Sequence, residues 1–194
     1  MTPARAALTV AAPCFVLLTL VVALLDTAPV DGPVRETLLA YASPPILAAM
    51  HAINYAGSWK VLLPATLLLL LAFPRARERW WLWIGLMIVA PATEGVLKVV
   101  VGRPRPEALS MGFPSGHATA AAAFFGAAIY LAGDLPPRAR RLVRVVSVIV
   151  IVLVAVARVM LRAHWPSDVL AGIALGVTLA SAAALLARPE RPAG

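Results

Sequence analysis

The sequence predicts an all-α integral membrane bundle of six transmembrane helices, with short interfacial helices after the first span. Three observations carry that prediction. Hydrophobic residues make up 61% of the 194 and charged residues 13%, at a mean hydropathy of +0.88. A soluble domain holds about 45–50% apolar and about 25% charged residues. The apolar residues fall into six runs close to the roughly 20 residues that a membrane helix needs. Basic residues gather between alternate runs, as they do in cytoplasmic loops. Together these exclude a soluble domain and a disordered chain. They also give the formal charge of +8 a membrane explanation, so nucleic acid is not expected as a partner.

The first run, residues 8–25, is interrupted only by Thr9 and Thr19. It exceeds the roughly 7–15 apolar residues of a signal-peptide core, and no A-x-A site follows, so it reads as a retained span. Residues 34–57 mix Arg35, Glu36, His51 and Asn54 with apolar side chains and break at Pro44 and Pro45. That mixture reads as two short helices lying at the interface. The second span, 58–73, carries five successive leucines, and the third, 80–101, holds Glu94 and Lys98. The fourth, 115–133, is rich in alanine. The fifth, 142–161, contains VVSVIVIVLVAVA, and 169–187 closes the set. Pro13, Pro64 and Pro91 fall inside spans, which a membrane bundle tolerates. Gly172 and Gly176 in the last span read as close helix packing within the bundle, ahead of the alternative of a dimer seam. Cys14, the only cysteine, excludes an intramolecular disulfide, a cysteine-built zinc site and a CxxC redox pair. In its apolar run it reads as a small buried side chain. Residues 1–194 read as one domain.

Orientation follows from the arginines. Arg5, Arg75, Arg77, Arg79, Arg138, Arg140, Arg141, Arg144, Arg188 and Arg191 fall on one side of the six spans. The other side holds Arg35, Lys60, Lys98, Arg103, Arg105, Arg158 and Arg162, most of them inside the motifs below. The positive-inside rule therefore places both termini in the cytoplasm and the first, third and fifth loops outside. Trp80, Trp81 and Trp83 are then expected at the inner interface, and Trp59 and Trp165 at the outer one.

Reactive groups collect in the outward loops. The third span runs out through KVVVGRPRP, 98–106; PSGH, 114–117, opens the fourth; ARVMLRAHWPSD joins the fifth to the sixth. Lys98, Arg105 and Arg158 supply positive charge, and a guanidinium can make a bidentate fork on a phosphate. Ser115 and Gly116 stand at a predicted helix N-terminus, where free backbone N–H groups and the helix dipole favour an anion. His117 and His164 can exchange protons near neutral pH. Asp168, four residues after His164, can accept from one ring nitrogen and leave the other free to attack.

Lys98 to Arg105-Pro106, Pro114 to His117, and Arg158, His164 and Asp168 resemble the three-part signature of the type 2 phosphatidic-acid phosphatase family. This lipid phosphate phosphatase group shares its site with vanadium haloperoxidases and bacterial class A acid phosphatases. The parts stand in the family's order over 98–168. The resemblance implies a metal-free and cofactor-free membrane phosphatase. His164 would be the nucleophile that becomes a phosphohistidine, Asp168 its orienting partner and His117 the general acid and then base. Lys98, Arg105, Ser115, Gly116 and Arg158 would bind phosphate. It further implies a lipid phosphate or polyprenyl diphosphate in the bilayer as substrate, with no required protein partner. The location implied is a bacterial cytoplasmic membrane, with the active site facing outward. The sequence departs from the pattern at Ala157, where Ser is usual, at Arg162, where Gly is common, and in the short loop 106–114.

Other residues have plainer readings. Glu94, one turn before Lys98, reads as a charge partner that neutralises it, with a direct substrate role as the alternative. Arg103 and Arg162 either reach the lipid headgroups or touch substrate; the sequence leaves both open. His51 and Asn54 read as the polar face of an interfacial helix. The competing function is a non-catalytic lipid-phosphate binding or scrambling protein on the same fold. Binding needs cations, but it needs neither His117 nor the His164–Asp168 pair. A haloperoxidase fits the short six-span chain poorly, and a transporter would show internal repeats or paired broken helices.

Overall fold

The computed structural model describes residues 1–187, so Arg188, Arg191 and Gly194 lie outside the described residues. Thr2 caps the first helix, α1 (Pro3–Leu25), which starts five residues earlier than expected because Pro3 fits the first turn. Two short helices follow, α2 (Asp31–Ala40) and α3 (Pro44–Asn54), broken where Pro44 and Pro45 were expected to break them. A single 3-10 turn, Tyr55–Gly57, leads into α4 (Trp59–Ala72), capped by Ser58. The remaining helices are α5 (Pro74–Glu78), α6 (Trp80–Val101), α7 (Gly116–Leu131), α8 (Pro137–Met160) and α9 (Pro166–Leu186).

Five helices are long and apolar enough to cross a membrane: α1, α6, α7 with its 3-10 extension to Asp134, α8 and α9. The expected second span is the exception. At 14 residues α4 reaches only about 21 Å, short of the roughly 30 Å hydrocarbon core. It forms a sixth crossing only together with Pro44–Gly57, from which it departs at 51°. The expected interfacial segment, through Pro44–Gly57, thus supplies one arm of a bent helix pair.

Small side chains set the core. Ala118, Ala121, Ala122 and Ala123 of α7 are buried against α9, which contributes Ala171, Ala180, Ala183 and Ala184. A Cβ on Gly176 would stand 2.5 Å from the Thr119 carbonyl oxygen, and one on Gly172 would stand 2.6 Å from that of Ser115. Only glycine lets the two backbones approach this closely, which is the packing role expected of the pair. Helix α1 lies along the rest of α9, and α3 along α8. Cys14 departs from expectation: it is exposed on α1, on a surface that faces outward from the bundle. Trp83 departs too. Unlike the exposed Trp80 and Trp81, it is buried, with its ring 5.9 Å from that of Tyr130.

Because successive long helices run in opposite directions, their ends sort into two sets. At one end lie α5, the start of α8 and the end of α9, tied by an Arg75–Asp134 ion pair and by Arg79 donating to the Leu186 carbonyl at 3.2 Å. This end holds the arginine-rich loops. At the other end meet the C-termini of α1, α6 and α8, the N-termini of α7 and α9, and α2. The loop there forms a small antiparallel hairpin, β1 (Pro104–Arg105) with β2 (Ala108–Met111), an addition to the expected all-α fold. Gly102, at φ +66°, ends α6 and turns the chain into it.

Candidate active site

The three motifs converge at this second end. Helix α6 brings Lys98 and Glu94 on successive turns of one face, and they form an ion pair, as their spacing led us to expect. The N-terminus of α7 brings Ser115, Gly116 and His117. The end of α8 brings Arg158, and the short link to α9 brings His164. Asp168 sits in the first turn of α9, where its carboxylate caps the helix by accepting from the Trp165 N–H at 3.0 Å. The α7 and α9 termini are joined directly, since Ser115 N–H donates to the Asp168 carbonyl at 2.9 Å.

His164 is 1% exposed, and its Nδ1 faces Asp168 Oδ2 at 3.4 Å, long for a hydrogen bond. Burial pulls this imidazole down to about 4, and Arg158 and Arg105 add to the fall; the neighbouring Asp168 carboxylate opposes it without overcoming it. His164 is therefore neutral through the neutral pH range, with Nδ1 turned to Asp168 and Nε2 left to act. His117 lies within electrostatic reach of His164, Arg158, Lys98 and Arg105, so both histidines share one field of positive charge. Gly57 packs over it, because a Cβ there would come within 2.9 Å of the His117 carbonyl oxygen and 2.7 Å of Val154. The bend between α3 and α4 thereby holds the start of α7 against α8.

Ser115 Oγ, Arg158 Nε and His164 Nδ1 are among the buried polar atoms at this end that have no hydrogen-bond partner. Unsatisfied buried groups are rare in folded proteins and call for an explanation. A hydroxyl and a guanidinium gathered at a helix N-terminus suit a tetrahedral oxyanion. Gly116 adds close backbone approach, and a Cβ there would stand 2.8 Å from Glu94 Oε1, so the Glu94 carboxylate lies against the same helix end. Arg105 is half-buried in the hairpin, with Nε 3.4 Å from the Met111 carbonyl oxygen. Among the described residues no three His, Cys, Asp or Glu stand together as a metal-ion cluster.

Several residues take places that their local sequence did not predict. Arg103 reaches neither headgroups nor the phosphate-binding atoms. It is 3% exposed and bridges Asp31 and Asp168, at 2.6 Å each. Asn54 leaves the expected polar face and accepts from Arg158 at 2.8 Å, aiming the guanidinium, whereas His51 stays exposed. Trp165 stands at this outer end, with the Arg35 guanidinium 5.6 Å and the Arg103 guanidinium 5.5 Å from its ring centroid. Arg162 pairs with Glu107 at 2.8 Å, and Arg35 pairs with the same carboxylate. Arg162 and, less strongly, Arg35 hold Glu107 below the usual carboxylate range. The backbone of Arg162 is left-handed at φ +58°, the conformation a glycine would take at no steric cost. Asp31 and Ser167 were missed altogether; the only local signal was an acidic residue in the first turn of α2.

Comparison with known proteins agrees with this geometry. A family model described as the PAP2 superfamily matches residues 79–191, a stretch that includes all three motifs. The chain is 32% identical over 153 residues to decaprenylphosphoryl-5-phosphoribose phosphatase of Mycobacterium tuberculosis, covering 70% of this chain and 77% of the relative. It is 28% identical over 160 residues to phosphatidylglycerophosphatase B of Bacillus subtilis, covering 77% and 79%. The crystal structure of a transmembrane PAP2 type phosphatidylglycerolphosphate phosphatase from Bacillus subtilis superposes with a TM-score of 0.78 at 26% identity, covering 89% of this chain and 93% of that one.

Proposed function

The chain belongs to the PAP2 superfamily, and on that premise we propose that it is a single-domain integral membrane phosphatase that hydrolyses a lipid phosphate or polyprenyl diphosphate through a phosphohistidine. The observation that carries this reading is the pairing of buried His164 with Asp168 beside the unpartnered Ser115 Oγ and Arg158 Nε. Nε2 of His164 attacks phosphorus while the bond to the leaving oxygen breaks, and His117 gives that oxygen its proton. His117 then takes a proton from water as the water oxygen attacks the phosphoryl group and the P–N bond breaks. Free phosphate leaves and both histidines return to their starting forms. Lys98, Arg105, Arg158 and the α7 N-terminus stabilise the charge on the equatorial oxygens. The relatives' names point to lipid-anchored phosphates, and the surrounding apolar helices suit an acyl or prenyl chain lying in the bilayer.

The purified protein is expected to release inorganic phosphate from at least one of phosphatidic acid, phosphatidylglycerol phosphate, undecaprenyl diphosphate and a polyprenyl sugar phosphate. The cations that neutralise the phosphate are side chains, so activity is expected to survive excess EDTA. Vanadate is expected to inhibit, because its five-coordinate form resembles the transition state. Activity lost on chelation and restored by magnesium or zinc would overturn the mechanism.

The arginine-rich end opposite the site supports cytoplasmic termini and an outward active site in a bacterial cytoplasmic membrane. A fluorescent fusion at Gly194 that matures only in the cytoplasm is expected to fluoresce. Activity of a periplasm-dependent reporter at the same position would reverse the topology.

A further inference from the structure

Asp31 is the most deeply connected polar residue outside the three motifs. It is 0% exposed, and both carboxylate oxygens are engaged. Oδ1 accepts from the Ser167 N–H at 2.8 Å. Oδ2 accepts from Ser167 Oγ at 2.7 Å, Arg103 at 2.6 Å and the Ala28 N–H at 3.0 Å. Arg103 in turn donates to Ser167 Oγ at 2.7 Å and to Asp168 Oδ1 at 2.6 Å. Asp168 is thus held on both sides: Arg103 fixes Oδ1, while the Trp165 N–H fixes Oδ2, the oxygen that faces His164.

We propose that Asp31 is a positioning residue for the His164–Asp168 pair, acting through Arg103 and Ser167; this rests on the phosphatase reading above. The reasoning is electrostatic as well as geometric. One guanidinium lies between two buried carboxylates, so neither is neutralised alone. The cluster keeps one net negative charge, and it lies beside the imidazole that becomes cationic when it takes the phosphoryl group. Without Asp31 the guanidinium has Asp168 as its only carboxylate. Asp168 then gives more of its charge to Arg103 and less to His164, and the Ser167 turn that opens α9 loses its anchor. Asp31 stands 136 residues from Ser167, so this contact also fixes the segment after α1 to the site.

The test is a double-mutant cycle in the full-length protein, in detergent, with a lipid phosphate. Asp31→Asn is expected to lower kcat by about 10- to 100-fold, the scale of a misplaced reacting group, with KM close to the wild-type value. Vanadate binding stoichiometry counts the competent sites and separates this from loss of folded protein. In an Asp168→Asn background the same substitution is expected to cost little further, because its effect passes through Asp168. Undiminished kcat in Asp31→Asn, or an equal factor in both backgrounds, overturns the proposal and leaves the phosphatase reading standing. A wild-type protein that releases no phosphate overturns both. If Asp31→Asn binds no vanadate, Ser167→Ala, which keeps both carboxylates and Arg103, carries the cycle. The same non-additivity at smaller size supports the proposal, and an additive cost overturns it.

Discussion

Replacing His164 with alanine is expected to abolish turnover on every phosphate ester, lipid or activated. In the proposed mechanism the imidazole supplies the atom that bonds to phosphorus, and among the described residues no other imidazole faces a carboxylate at this end of the bundle. Losing a nucleophile elsewhere costs on the order of 10⁶-fold in kcat, and a good leaving group does not restore a missing bond. The alanine leaves Lys98, Arg105, Arg158 and the α7 N-terminus in place, so vanadate or substrate affinity is expected to fall much less than turnover. Rapid acid-free quenching of the wild-type enzyme with labelled substrate is expected to trap a phosphoryl group that is stable to alkali and released by acid, and the His164→Ala protein is expected to trap none. The pH profile gives a second handle. Burial holds the His164 imidazole down at about 4. The nucleophile is therefore neutral from pH 7 downward and becomes protonated only as the pH approaches that value. Measurable turnover by His164→Ala on an activated ester would remove it from the nucleophile's position.

The parts of this site that were legible in the sequence are those in which chemistry is local. Lys98 and Glu94 are one helical turn apart, Ser115, Gly116 and His117 are consecutive, and His164 and Asp168 flank a helix start, so spacing alone brings their atoms together. The long apolar runs were legible for the same reason, and 80–101 matches α6 at both ends. The 51° break between Pro44–Gly57 and α4 was not, because the contacts of Gly57 there, with His117 and Val154, come from residues distant in sequence. Arg103 stands next to a motif, yet both of its carboxylate partners come from other helices, 72 and 65 residues away. Nothing around Asp31 sets it apart from an ordinary acidic residue in a first helical turn. Trp83 misled in the opposite sense: an aromatic near a span end is usually a belt residue, but here it fills the core beside Tyr130. Local spacing thus brought the candidate groups together, whereas the residues packed behind them became visible only when helix ends distant in sequence were brought together.

His117→Ala is expected to fail differently from His164→Ala, and the difference tests the division of labour between them. His117 opens α7 beside Ser115 and Gly116, at the helix end that suits the phosphate, and it shares the field of Arg158, Lys98 and Arg105. From there it can protonate the leaving oxygen while His164 attacks from the other side of phosphorus. General acid catalysis is worth about 10²–10⁴-fold, so His117→Ala is expected to lose that much on a lipid phosphate, whose alkoxide leaves poorly. On a nitrophenyl phosphate the leaving group departs without a proton, so the phosphoryl transfer to His164 is expected to recover. Hydrolysis of the phosphohistidine still lacks its base. The variant is therefore expected to release a burst of nitrophenol equal to the enzyme present, then turn over slowly, with the trapped phosphoryl enzyme accumulating above the wild-type level. Equal loss on both substrates with no burst would mean that His117 does not serve the leaving group. A burst in His164→Ala and none in His117→Ala would exchange the two assignments.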